Sequence, residues 1–325
     1  MVDNSSPSTA DRDVIVDARG LAKTFRIGFL MRRVIAVRDA TFDVRRGEIF
    51  GIVGPNGAGK TTTIKMLMGL IRPQSGHATI HGVPVTDVRA RRHVAFLPET
   101  PHFYDYLKPA ELLDYFGDLY GLDASTKRRR IPELLDRVGL ANAVDKPLRK
   151  FSKGMLQRIG LAQALLPECD LLVLDEPQSG LDPMGRKDVR DLIVEEHARG
   201  RTIIMCSHIL PDVEQICDRV AIIIHGSVTR VGRLSELVED RSTVEITATV
   251  PAVALDGLRM SGLDIRANAD GTWRVVTADP ARVSPTLSEI LAHGGNVLSV
   301  VPHRRSLEDV FHDEARASTD TRQHG

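Results

Sequence analysis

Residues Gly54-Pro55-Asn56-Gly57-Ala58-Gly59-Lys60-Thr61 follow an unbroken apolar stretch, Ile49-Phe50-Gly51-Ile52-Val53, and lead into a helical pattern carrying Ile64, Leu67 and Met68. A glycine-rich turn between a buried strand and a helix, closed by Lys-Thr, is built to wrap a phosphate chain. The glycines let backbone N–H groups converge on an anion, and the helix adds its positive N-terminal end. Lys60 supplies charge for the β- and γ-phosphates, and the Thr61 hydroxyl suits Mg²⁺, a cation that takes hard oxygen ligands. Such a loop commits the chain to an α/β sheet whose strands end at a shared ligand-binding edge.

The surrounding pattern agrees. Over residues 14–231, strand-length apolar runs alternate with longer helical patterns, as in an α/β domain with a largely parallel sheet. Segments 49–53, 171–174 and 203–206 are apolar at nearly every position, which predicts central strands covered on both faces. Segments 14–16 and 40–44 alternate apolar with polar and predict an antiparallel edge. Helices at 111–119 and 131–138 fall in a charged stretch that reads as an inserted helical subdomain, about 101–168. After 234–239 the pattern restarts with a strand at 243–247, a helix at 253–260 and two strands joined by the hairpin signal Asp270-Gly271. A helix at 284–292, a strand at 297–301 and a helix opened by Ser306 with Asp309 three residues on complete a β-α-β-β-α-β order, which is ferredoxin-like. The expected organisation is a disordered leader (1–13), a nucleotide-binding domain (14–235), a small α+β accessory domain (241–314) and a disordered tail (315–325).

At 325 residues there is room for two cores. The 43 basic and 43 acidic side chains cancel, which argues against nucleic acid as the main partner. Cys169, Cys206 and Cys217 have no zinc or redox spacing and read as buried thiols in a reducing compartment. The first residues lack the pattern of a secretory signal, and no apolar run approaches the roughly 20 residues of a spanning helix. Any link to a membrane must come through a partner.

Three further segments carry chemistry. In Leu171-Leu172-Val173-Leu174-Asp175-Glu176, burial of the strand would set Asp175 at its carboxyl end near the magnesium. Glu176, one residue on, could then polarise a water behind the γ-phosphate as general base. Alone, an acidic pair closing a strand is as readily an ordinary solvated end. Phe151-Ser152-Lys153-Gly154-Met155 opens a helix carrying Leu156, Ile159, Ala162 and Leu166, with Ser152 as N-cap. A capped helix with glycine in its first turn is a second anion site, yet the chain has one lysine loop, so the second site could complete a nucleotide held by another copy. His208, read alone, is more readily structural or exposed than catalytic.

Taken in order, the phosphate loop, the Glu99 region, the segment Phe151 to Met155, Asp175-Glu176, Ser179-Gly180-Leu181-Asp182 and Ser207-His208 resemble the ATPase subunits of ATP-binding-cassette transporters over about 14–231. The resemblance implies a P-loop NTPase cassette, and behind it here lies the small α+β domain. It implies ATP and Mg²⁺ as cofactors, with nucleotide contacts from Gly54 through Thr62 and metal contacts from Thr61, Glu99 and Asp175. It implies a head-to-tail homodimer or heterodimer in which Lys60 of one copy and Ser152 and Gly154 of the other hold each ATP, and Asp182 links the two sites. Glu176 and His208 would be catalytic, His208 meeting the γ-phosphate and the attacking water. Phe25 matches the aromatic that stacks on adenine, although a core role fits it equally. The implied partners are separate membrane-spanning permease subunits, with the ATPase peripheral at the cytoplasmic face of the cell membrane.

Several positions depart from the family pattern. Glu99 stands where glutamine is usual, Lys153 and Met155 replace glycine and glutamine, and Gln178 stands where threonine or serine is usual. Such substitutions resemble the exporter-type branch, which favours export over import. Phe103, Tyr104 and Tyr106 either line a permease-facing groove or belong to the subdomain core. The basic run 127–130 reads as a solvated helix face, with anionic-lipid contact as the lesser alternative, Phe29-Leu30-Met31 as a loop that touches a partner or nothing, and Trp273 as core or a ligand platform. A soluble cassette ATPase uncoupled from transport fits less well, because one cassette and no sustained heptads are present. A nucleotide kinase would not need the segment Phe151 to Met155 or Ser207-His208.

Overall fold

The computed structural model describes residues 13–28, 31–239, 243–251, 255, 263–268, 270–277, 279–303 and 306–323. The chain divides into two compact units after Arg233 and again before Glu314, the last segment grouping with the first unit. The sequence-based division set the end of the first domain at 235 and the second at 241–314. Of the expected leader, residues 1–12 lie outside the described residues, and the Asp13 carbonyl accepts a bond from Arg46 N at 2.8 Å.

The first unit is built on one ten-stranded sheet. In its parallel half, β9 (Arg219–Ile224), β3 (Ile49–Val53), β8 (Thr202–Ser207), β7 (Leu171–Asp175) and β6 (Val94–Leu97) lie side by side in that order. Every residue of β3, β7, β8 and β9 is buried, which is why their sequences run apolar without alternation. In the other half, β5 (Val83–Pro84), β4 (Ser75–Ile80), β1 (Val14–Ile27) and β2 (Arg32–Arg45) pair antiparallel, and β2 turns Val37, Ala40, Phe42 and Val44 inward while its other face stays wet. β10 (Ser227–Arg233) joins the halves, antiparallel to β9 and touching β2 through Ser227 and Asp39. Ile64, Met66 and Leu67 of α1 (Lys60–Leu67) pack into the common core, where each such side chain contributes roughly 2 kcal/mol. Phe42 stacks on Phe50 at 5.5 Å between ring centroids.

One ionic cluster lies within this framework. Arg219 Nη1 is 3.0 Å from Glu48 Oε1 and 3.1 Å from Asp43 Oδ2, with its guanidinium over the Phe50 ring. Burial pushes the fully buried Glu48 carboxyl up, partly offset by bonds from Arg45 and Arg219. Asp43 is also raised by burial, but its bonds to Arg219 and Arg45 win and bring it below the usual range.

The helical subdomain contains α2 (Pro109–Leu119), α3 (Ala124–Arg137) and α4 (Lys153–Leu165). α3 begins earlier than the sequence suggested, because the Asp123 side chain accepts from Ser125 N and Thr126 N and caps it there. The basic run therefore lies inside the helix, and only half of it is the solvated face expected. Lys127 is buried in the seam with α2, paired to Asp114 at 2.9 Å and Asp118 at 2.5 Å, and a Cβ on Gly117 would come within 2.5 Å of its Cδ. Arg130 donates to the Leu165 carbonyl at 3.0 Å, and only Arg128 and Arg129 stay exposed. α5 (Pro183–Ala198) and α6 (Leu210–Ile216) complete the unit.

The second unit opens with α7 (Leu234–Glu239) and carries β11 (Thr243–Thr249), β12 (Asp264–Ala267), β13 (Trp273–Thr277), α8 (Val283–Ala292) and β14 (Asn296–His303). Its sheet is antiparallel in the order β12-β13-β11-β14, the order a ferredoxin-like chain produces. The expected helix at 253–260 lies outside the described residues except for Leu255. Trp273 packs against the core cluster that contains Ile246, Ala248, Val275 and Ile290, in favour of its core reading. The hairpin turns where expected, with Gly271 at φ 82° and Thr272 N bonded to Asp270 Oδ1. A last helix, α9 (Leu307–Gln323), starts at a capping box in which Ser306 N meets Asp309 Oδ2 and Asp309 N meets Ser306 Oγ. It runs on to Gln323, into the segment expected to be a disordered tail, with no glycine or proline between Pro302 and Gly325 to stop it. Phe29 and Leu30 lie outside the described residues, and Met31 is exposed.

Candidate functional site

Parallel register brings the chemical segments together. β3 and β7 flank β8, with Val53 opposite Ser207 and Asp175 opposite Cys206, so the phosphate loop, Asp175-Glu176 and His208 leave the sheet at one edge. Leu97 lies opposite Leu174, which carries Glu99 to the same edge.

The loop has the backbone its glycines allow. Gly57 and Gly59 have φ values of 78° and 110°, and a Cβ on Gly59 would lie 2.5 Å from the Ala36 carbonyl. Gly54 is forced by space, since a Cβ there would meet the Ile223 carbonyl at 2.3 Å. Ala58 is buried under the loop, whereas Pro55, Asn56 and Gly57 are exposed. Lys60 folds back over the loop, donating to the carbonyls of Gly54 at 2.8 Å and Pro55 at 3.3 Å, and its Nζ is 3.4 Å from Glu176 Oε1.

Thr61 Oγ1 donates to Asp175 Oδ1 at 3.2 Å. Asp175 is 1% exposed, and its Oδ2 is buried without a hydrogen-bond partner. Burial, helped by the nearby Glu99 and Glu176 carboxylates, pushes the Asp175 carboxyl up to about 6 against the opposing pull of Thr61 and Lys60. A buried carboxylate oxygen with an open lone pair, a threonine hydroxyl and an exposed Glu99 form a hard-oxygen donor set that fits Mg²⁺.

Glu176 follows in a turn. It takes a φ of 51°, uncommon for a residue with a Cβ, with its N–H bonded to the Cys206 carbonyl at 3.0 Å. Its Oε2 is 2.7 Å from His208 Nδ1. Its carbonyl accepts from Ser179 N at 3.0 Å and from Gln157 Nε2 at 3.2 Å. The sequence reading gave Gln157 no role.

A cleft of about 370 Å³ opens above the loop, walled by Phe25, Val34, Ile35 and Ala36 on one side and by Glu99 and Glu176 on the other, with Asn56 to Thr62 as its floor. Phe25 is half-buried, pairs with Val34 in the β1–β2 ladder and has Lys23 Nζ 5.6 Å from its ring centroid. Ser152, Gly154 and Asp182 are not among the lining residues. Ser152 caps α4 by accepting from Met155 N at 3.3 Å and is exposed, and Asp182 caps α5 by accepting from Gly185 N at 2.8 Å. Gln178 is buried, donating to the Arg186 carbonyl, with its own Oε1 unpaired.

Known proteins resemble this chain over most of its length. The family model described as ABC transporter matches residues 37–179. An ABC transporter ATP-binding protein of Nostoc sp. is 39% identical over 307 residues, covering 94% of this chain and 90% of its own length. The Nod factor export ATP-binding protein I of Ralstonia nicotianae is 36% identical over 280 residues, covering 83% of this chain and 86% of its own. A solved structure of an ATP binding subunit of an ABC transporter superposes with a TM-score of 0.61 at 35% identity, covering 69% of this chain and 91% of that one. The chain belongs to the ABC transporter family as an ATP-binding subunit, an ATPase whose cassette binds ATP.

Proposed function

We propose that two copies close head to tail on two ATP molecules, hydrolyse them at Glu176, and drive export through separate membrane-spanning subunits. The observation that carries this reading is the split of the anion-binding parts: the lysine loop lines the cleft, while the exposed Ser152-capped end of α4 does not. A single chain thus offers half of two sites, which a second copy would complete.

In each site the loop from Gly54 to Thr62 wraps the phosphates, Lys60 moves from Glu176 to the β- and γ-phosphates, and Phe25 stacks on the adenine. Ser152 and Gly154 of the other copy cover the γ-phosphate, and Asp182 sits where the two sites meet. Thr61, Asp175 and Glu99 would hold Mg²⁺, which supplies charge neutralisation at the phosphates. Glu176 takes a proton from a water as its oxygen bonds to the γ-phosphorus and the bond to the leaving ADP oxygen breaks. His208 orients that carboxylate through the 2.7 Å contact.

Among the described residues no helix is long and apolar enough to cross a membrane; in this reading the permease is a separate protein and the ATPase attaches to it at the cytoplasmic face. Export rests on the likeness to the Nod factor export ATP-binding protein. Mixing a Lys60→Ala copy with a Ser152→Arg copy tests the arrangement. Each is inactive alone, and the mixed dimer regains one intact site and measurable phosphate release. A mixture as inactive as its parts would refute the shared site.

A further inference from the structure

We propose that Gln157 is a positioning residue through which the amino end of α4 sets the backbone of Glu176 in its own chain. Gln157 is 2% exposed, and its amide donates to the Glu176 carbonyl at 3.2 Å. The left-handed conformation of Glu176 persists only where surrounding contacts hold it. One of those contacts is local, from Ser179 N, a second is with the Cys206 carbonyl of the neighbouring strand, and the Gln157 amide brings a third from the helical subdomain.

The same end of α4 is keyed to the following segment at two further points. A Cβ on Gly154 would lie 3.1 Å from Leu181 Cδ2, so helix and loop are in close contact there. Arg158 Nη2 pairs with Asp188 Oδ2 of α5 at 3.0 Å. The first turns of α4, the Glu176 turn and the start of α5 therefore move as one block.

The inference rests on the head-to-tail reading and deepens it. There, Ser152 and Gly154 meet the nucleotide held by the other copy, while Glu176 faces the nucleotide held by its own. When α4 closes on the distant nucleotide, Gln157 carries the displacement to the carbonyl of Glu176 and aligns its carboxylate. Each nucleotide in this way arms the hydrolysis of the other.

The full-length chain is tested with Gln157→Glu, which replaces the donor by an acceptor at equal size, and Gln157→Met, which keeps volume without a polar group should the acidic variant not fold. Expected are an unchanged KM for ATP, kcat lower by about fivefold to tenfold per folded molecule, and ATP-driven dimer formation retained in a Glu176→Gln background. In that ATP-bound dimer, amide exchange over residues 176–179 becomes faster than in the parent. A lower melting temperature with unchanged kcat and exchange would make Gln157 merely structural and overturn the proposal. A parent chain that stays monomeric with ATP would instead sink the head-to-tail reading itself, before any Gln157 variant is compared.

Discussion

His208 Nδ1 lies 2.7 Å from Glu176 Oε2, the two side chains standing just beyond the ends of neighbouring parallel strands. The contact fixes one carboxylate oxygen and leaves the other toward Lys60. His208→Ala is expected to lower kcat by roughly 10²-fold or more while ATP binding stays within a few-fold of the parent. Single-turnover phosphate release beside equilibrium nucleotide binding separates the two, and a loss confined to binding would contradict the assignment.

Asp175 gives a pH signature in the protein free of nucleotide and metal. Its folded carboxyl titrates near 6, above the unfolded value, so folding penalises the ionised form. The penalty is absent below about pH 4, grows as pH rises through 6, and reaches at most about 3 kcal/mol above it. Asp175→Asn does not carry the charge and should unfold at higher urea than the parent at pH 7.5, with the gap narrowing on acidification. Mg²⁺ and ATP should reverse the ranking, because the variant offers a poorer metal ligand.

Arg219 holds two carboxylates, one of them fully buried. Arg219→Met leaves Glu48 without its cation and should cost about 3–5 kcal/mol in denaturant unfolding. Adding Glu48→Gln to that variant should recover part of the loss. A double variant no more stable than the single one would show that the pair is not coupled.

Tyr104 and Tyr106 are 53% and 64% exposed, with Tyr104 packed edge-on against Tyr115 at 5.8 Å. Their exposure favours an interface role over the subdomain core, where Phe103 meets Phe116 instead. Replacing both tyrosines by alanine should weaken co-purification with the permease and leave ATP binding intact. Unchanged co-purification would remove the surface from consideration.

The sequence was most legible where one force decided the structure. β3, β7 and β8 announce themselves because strands buried on both faces can carry little else, and their parallel register then fixes which motif ends meet. Ser152 was legible for the same reason, since a cap is a local bond. Lys127 was misread because its charge is answered from α2, by Asp114 and Asp118, which no local pattern in its own helix reveals. Gln157 had a signal that was available: it shares a face with Gly160, Leu161 and Ala164, all buried, and a polar side chain in such a stripe needs a partner. That partner exists only because Glu176 adopts a backbone conformation that the sequence does not declare.

The position of Lys60 has a consequence for timing. Its ammonium lies 3.4 Å from the Glu176 carboxylate and is bonded to two loop carbonyls, so cation and carboxylate are paired. In the proposed mechanism a triphosphate takes that ammonium from the carboxylate, so that binding the phosphates and freeing the Glu176 carboxylate become a single event.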